Sequence, residues 1–233
     1  GKRLAHVHQE LEAMIAPGIS TWEIDAKGEK LIRDCGCIPN FLHYNGYPAS
    51  ICVSVNDEVV HGIPRKDRYL KEGDIVSLDA GLIYKGYHSD AARTHAVGKV
   101  STEAQKLMDV TKQSFFEGIK MAKEGQHLHD ISRAIEEYVT PYGYGIVRDL
   151  VGHGIGTALH EDPQIPNYAQ KRRGVRLQAG MTLAIEPMIN AGTWQVRFLR
   201  DGWTVVTKDG SLSAHYENTI LVTDGEPEIL TLY

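Results

Sequence analysis

The sequence is poor in thiols and in phenylalanine, with three cysteines and four phenylalanines in 233 residues. Cys35, Cys37 and Cys52 are an odd number, and their C-x-C spacing is neither a zinc knuckle nor a redox pair. They argue against a disulfide framework and read as free thiols in a reducing cytosol. A basic excess is lacking too, since 25 Lys and Arg against 30 Asp and Glu give a formal charge of −5. No electrostatic footprint for a nucleic acid partner is left, and Lys171-Arg172-Arg173 reads as a solvated loop. No apolar run is long enough for a membrane span and no signal-peptide pattern is present, so a cytoplasmic location without a membrane partner is expected. A composition of 42% hydrophobic and 24% charged residues is otherwise that of an ordinary globular chain.

What is present centres on the stretch from Gly73 to Val97. Ile75, Ser77, Asp79 and Gly81 alternate with Val76, Leu78, Ala80 and Leu82, a period of two, and Lys85-Gly86 supplies a tight turn. A two-residue loop would set Tyr84 opposite Tyr87, Gly81 opposite Asp90 and Asp79 opposite Ala92. Asp79 and Asp90 then share a face as diagonal neighbours, roughly 7–8 Å apart at the backbone. Carboxylates that close repel unless a cation or a shared proton lies between them. Gly81, having no side chain, is expected to leave the space opposite Asp90 open.

Along the rest of the chain, Leu4, Val7, Leu11, Met14 and Ile15 form a helical stripe that is already running at residue 4, and a natural N-terminal segment is expected to precede it. Ser20 and Glu23 form a capping box for a second helix from about Thr21 to Asp34. Asn45-Gly46 and Pro48 are turn residues ahead of a strand from Ile51 to Val55, with Phe41, Tyr44 and Tyr47 as an aromatic cluster. Ser101 and Glu103 open a long amphipathic helix to about Lys123, and a further helix runs from about His129 to Val139. VGHGIGTALHEDP is glycine-rich and carries His153 and His160. From Arg176 onward the pattern is again strand-like.

Sliding the chain by 107 positions places Met14 on Met121, Gly18 on Gly125, Ile24 on Ile131, Gly36 on Gly143, Gly73 on Gly180 and Asp79 on Glu186. An acid falls on an acid at the same point of a matched strand. This predicts two α+β half-units, about 1–100 and 101–233, in one domain, related by a pseudo-two-fold that brings Asp79 and Glu186 together. A centre of Asp79, Asp90, His153, Glu186 and Glu217 would hold four carboxylates and one imidazole. Oxygen-rich sets with one nitrogen and no thiolate suit divalent ions such as Mn, Fe, Co or Zn, and four carboxylates call for about two of them.

At this point the chain resembles the methionine aminopeptidases over nearly its whole length. The resemblance rests on NGYPASICVSVNDEVVHGIP, SLDAG with HSDAARTH, VGHGIG with LHEDP, LAIEPM, and AHYENTILVT. It implies the α+β pita-bread fold, two pseudo-symmetric halves with antiparallel sheets and helices packed outside. It also implies that Asp79, Asp90, His153, Glu186 and Glu217 are metal ligands, with Asp90 and Glu217 bridging two ions. The lack of a long insertion between His153 and Glu217 resembles the type I class.

The implied reaction is removal of an N-terminal methionine from peptides and nascent chains when the second residue is small. Glu186 would move the proton from water to the leaving amine, His160 would donate to the carbonyl oxygen, and His61 would contact the next amide. Tyr44, Tyr47, Cys52 and Trp203 would wall the methionine pocket. Asn56 and Ser213 match positions that hold a structural Na or K ion in some members, and an ordinary turn accounts for them equally well. A monomer is expected, and contact with the ribosome is left open. The rival readings are a proline-specific peptidase of the same fold, against which YNGYP speaks, and a metal-free peptide-binding module, against which the complete ligand set speaks.

Overall fold

The computed structural model describes residues 1–232. Two helices come first, α1 (Lys2–Glu12) and α2 (Thr21–Asp34), followed by strands β1 (Ile38–Pro39), β2 (Ile51–Val55), β3 (Glu58–Val60), β4 (Ile75–Tyr84) and β5 (Tyr87–Ala96). Helices α3 (Thr102–Ile119) and α4 (Leu128–Val139) open the second part. Strands β6 (Gly145–Ile146), β7 (Gly152–Gly154), β8 (Glu161–Ile165), β9 (Thr182–Ile185) and β10 (Met188–Asn190) come next. The chain ends with β11 (Val196–Phe198), β12 (Val205–Thr207), β13 (Ser213–His215), β14 (Glu217–Leu221) and β15 (Glu228–Ile229).

Helix α2 begins as its sequence dictates: Ser20 accepts from the Glu23 backbone N–H while the Glu23 carboxylate accepts from Ser20 N. Helix α3 stops at Ile119, short of Lys123. Glu124 N donates to Thr223 O and Gly125 N to Leu177 O, so pairing with the far end of the chain draws residues 120–125 out of the helix. No helix among the described residues is long and apolar enough to cross a membrane.

The hairpin pairs as its alternation requires, Tyr84 with Tyr87, Gly81 with Asp90 and Asp79 with Ala92. Lys85 and Gly86 both have positive φ, 53° and 81°, the turn geometry that follows strand twist. This hairpin enters a nine-stranded sheet with the order β1-β4-β5-β14-β9-β7-β8, where β2 also pairs with β4 and β15 with β14. One face is covered by helices. Val76, Leu78, Ala80 and Leu82 pack with Leu4, Leu11, Ile24 and Ile32, and Leu183, Ile185 and Ile220 pack with Leu107, Phe115, Ile131 and Ile135. Period two then turns Asp79, Asp90, Ala184, Glu217 and Thr219 to the opposite face.

Candidate metal centre and its pocket

Five neighbouring strands each deliver one of the five donors. Asp79 lies on β4, Asp90 on β5, Glu217 at the start of β14, Glu186 just past β9 and His153 on β7. Asp79 and Glu217 both oppose Ala92, one from each side, and His153 opposes Ala184, which in turn opposes Thr219. Ala92 thus stands between two acids and Ala184 between His153 and Thr219, and these short side chains leave the longer ones room to converge.

Donor atoms of Asp90, His153 and Glu217 all lie within 4.8 Å of one another, and all three residues are buried. Asp79 and Glu186 share their cavity, about 210 Å³ in volume. His153 Nδ1 is 2.8 Å from Gly154 O, a contact that puts the ring proton on Nδ1 and leaves Nε2 bare, 3.6 Å from Glu186 Oε1. Asp79 Oδ1, Asp90 Oδ1 and Glu217 Oε1 are buried without a hydrogen-bond partner among the described residues. Buried anionic oxygens left unpaired are costly, and a divalent cation satisfies them.

The electrostatics agree with this donor set. Burial raises the Asp79 carboxyl to about 7. Asp90, Glu186 and Glu217 are raised well above the usual carboxylate range, first by burial and then by the charge of neighbouring carboxylates, Asp79 foremost for Asp90 and Glu186 and Asp90 foremost for Glu217. Burial lowers His153 to about 4, so its ring is neutral, as a ligand must be. Four acids in one dry spot hold protons or cations.

Above the donors the cavity is walled by Phe41, Tyr44, Asn45, Tyr47, Cys52, His61, Leu159, His160 and Trp203. Tyr44, Tyr47, Cys52, His61, His160 and Trp203, the residues expected from the sequence, all line this cavity, with Phe41, Asn45 and Leu159 beside them. Cys52 is brought there because β2 pairs with β4, setting it opposite Asp79. Tyr47 donates to Gly62 O at 2.9 Å and meets Trp203 edge-on at 5.1 Å, which fixes the wall behind His61. Tyr44 Oη lies 2.8 Å from His160 Nδ1, and the His160 ring stands 4.3 Å from that of His153. His61 has φ 59°, a left-handed backbone uncommon for a side chain of its size, and burial with His160 beside it lowers its ring to about 4.

One expectation changes. The space beside Gly81 is filled rather than open, since a Cβ there would lie 2.9 Å from Phe41 Cε1 and 3.0 Å from Asn40 Cβ. The glycine admits an aromatic wall to the site. Asn56 and Ser213 are brought together, Ser213 N donating to Asn56 O at 2.9 Å, and their side chains bond to protein. Asn56 Nδ2 donates to Asp74, Asn56 Oδ1 accepts from Ile75 N, and Ser213 Oγ donates to Asn190 Oδ1. The sequence reading also passed over His215, whose Nε2 faces Glu186 and Glu217. Its position two residues before Glu217 on a strand pattern was the signal available.

The sheet, its helical cover and this donor set define a metal-dependent hydrolase centre. The chain belongs to metallopeptidase family M24, whose model matches residues 1–224, and has that family's pita-bread architecture. It is 54% identical over 232 residues to a methionine aminopeptidase of Clostridium acetobutylicum, covering 100% of this chain and 93% of that one. A crystal structure of a methionine aminopeptidase from Thermotoga maritima superposes with a TM-score of 0.97 at 46% identity, over 100% of this chain and 93% of that chain. An Xaa-Pro dipeptidase from Bacillus anthracis matches less well, with a TM-score of 0.76 at 25% identity, over 98% of this chain and 57% of that chain.

Proposed function

We propose that the chain is a methionine aminopeptidase, hydrolysing the bond after an N-terminal methionine in peptides and nascent chains when the second residue is small. Family membership and full-length relatives that carry that name support the metal-dependent removal of methionine. The observation that carries the reading is one cavity of about 210 Å³ shared by five metal donors and a wall of Phe41, Tyr47, Cys52, Leu159 and Trp203. An unbranched thioether packs well against aromatic rings and sulfur, and the donors lie where the bond next to it would fall.

Asp79, Asp90, His153, Glu186 and Glu217 would hold two divalent ions of the Mn, Fe, Co or Zn kind. When bound, such a pair acidifies water and polarises a carbonyl. Glu186 takes the proton of the attacking water and passes it to the leaving amine. His160 donates from Nε2 to the carbonyl oxygen as it becomes an alkoxide, the Tyr44 hydroxyl donating to Nδ1 and so fixing that tautomer. His61 meets the amide nitrogen of the second residue and closes the space beside it. No ion is assigned to Asn56, in the turn between β2 and β3, or to Ser213, at the start of β13. Three free thiols fit a cytoplasmic setting.

The test is chelation, then re-metallation with Mn, Fe, Co or Zn in turn, assayed on Met-Ala, Leu-Ala and Xaa-Pro peptides. Hydrolysis of Met-Ala that disappears with chelator and returns with metal is expected. Full turnover in chelator, or a preference for Xaa-Pro, would overturn the proposal. In a Met-Xaa-Gly series, kcat/KM should fall with side-chain volume at the second position and be indifferent to charge.

A further inference from the structure

His215 closes strand β13 two residues ahead of Glu217, and it is 2% exposed. Its Nε2 stands 3.7 Å from Glu186 Oε2 and 3.9 Å from Glu217 Oε2. Neither of its ring nitrogens has a hydrogen-bond partner among the described residues. The opposite oxygen of Glu186, Oε1, faces His153 Nε2 at 3.6 Å, so this carboxylate lies between two imidazoles. The two rings are set up differently. His153 spends Nδ1 on Gly154 O and turns a bare nitrogen to the site, whereas His215 has nothing at Nδ1 to hold a proton there. The tautomer with its proton on Nε2 is the one that the carboxylates can accept from.

The backbone holds this ring in place. Thr94 Oγ1 accepts from His215 N at 2.9 Å and donates to His215 O at 2.8 Å, and β13 pairs with β10 through His215 and Met188. A buried imidazole without a partner is costly, and an apolar side chain of that size would avoid the cost. The 3.7 and 3.9 Å gaps exceed hydrogen-bond range by little, and small rotations of the carboxylates close them.

We propose that His215 is a positioning residue for the metal centre: its Nε2–H donates to the Oε2 atoms of Glu186 and Glu217 and leaves the Oε1 of each for a cation. One donor thereby orients two carboxylates that come from different strands, the one proposed to move the proton and the one proposed to bridge the ions. The inference rests on the reading of these residues as metal ligands given above.

The test measures affinity for Co(II) and for Mn(II), each alone, by competition with a fluorescent chelator. The proteins compared are wild type, His215→Gln, His215→Leu and Asp90→Asn. Loss of an outer donor to metal-holding carboxylates typically weakens binding about 10- to 100-fold, and that loss is expected for His215→Leu. Glutamine reaches the same oxygens with an N–H, so His215→Gln should stay within about threefold of wild type, with an unchanged Co(II) absorption spectrum because the ligands are unchanged. Wild-type affinity in His215→Leu, with affinity lost in Asp90→Asn, would overturn the role of His215 and leave the metal centre standing. Wild-type affinity in Asp90→Asn would instead overturn the metal centre itself. Equal loss in His215→Gln and His215→Leu, with an altered Co(II) spectrum in both, would make the ring a ligand and overturn the positioning role. If the metal-free His215→Leu protein does not unfold cooperatively, His215→Met, closer in reach, takes its place.

Discussion

At the scale of single residues the proposed site separates groups assigned to the metal from groups assigned to the substrate. His61 and His160 line the cavity but stand outside the five-donor set. Their alanine variants should therefore keep the metal content of wild type while losing turnover by about 100- to 1000-fold, the cost of one transition-state hydrogen bond. Metal analysis beside kcat checks this, and metal falling in step with rate would contradict it. Asp79 gives a different signature. Burial raises its carboxyl from 3.8 to about 7, so the folded, metal-free protein holds a proton there that the unfolded chain releases. That contribution to stability is complete below 3.8 and is lost as pH rises through about 7. Asp79→Asn has no such term. In chelator, its melting temperature relative to wild type should move upward across this window, as calorimetry at both ends would show.

At the scale of elements the β4–β5 hairpin carries two of the donors and also shapes the pocket. Gly81 stands opposite Asp90, and its missing side chain is the space into which Phe41 and Asn40 pack. Gly81→Ala would drive Phe41, a wall residue, toward the cavity. We expect a raised KM for Met-Ala peptides with metal content unchanged, and a loss of stability of about 1–3 kcal/mol from overpacking. Steady-state kinetics with metal analysis checks it, and an unchanged KM would mean that Phe41 does not shape the methionine pocket.

At the scale of the whole molecule the proposed metal centre lies between two packed regions. Asp79 and Asp90 come from the strands that back onto α1 and α2, while Glu186 directly follows β9 and Glu217 opens β14, strands that back onto α3 and α4. A cation held between them binds the folded state alone, and at 100 times its dissociation constant adds about 2.7 kcal/mol. Addition of Mn(II) to the chelated protein should raise the temperature of a single unfolding transition. Asp90→Asn should lose most of that rise. A metal-induced shift confined to one of two resolved transitions would show that the centre does not link the two regions.

The sequence determined what is local or periodic. Alternation and Lys85-Gly86 set the hairpin and its register to the residue, and Ser20 and Glu23 set the start of α2, while motif context singled out five candidate donors. A period of two is fixed by covalent geometry, and a cap by groups three residues apart. Tertiary structure decided what depends on distant partners. The order β4-β5-β14-β9-β7 brings residues 79, 90, 217, 186 and 153 side by side, and no local pattern encodes a neighbour more than a hundred residues away. Pairing with Thr223 and Leu177 ended α3 early, and packing of Phe41 filled the space at Gly81. His215 reads in sequence as one more strand residue. Only the fold, by placing its ring against two carboxylates from separate strands, gives it a chemical partner.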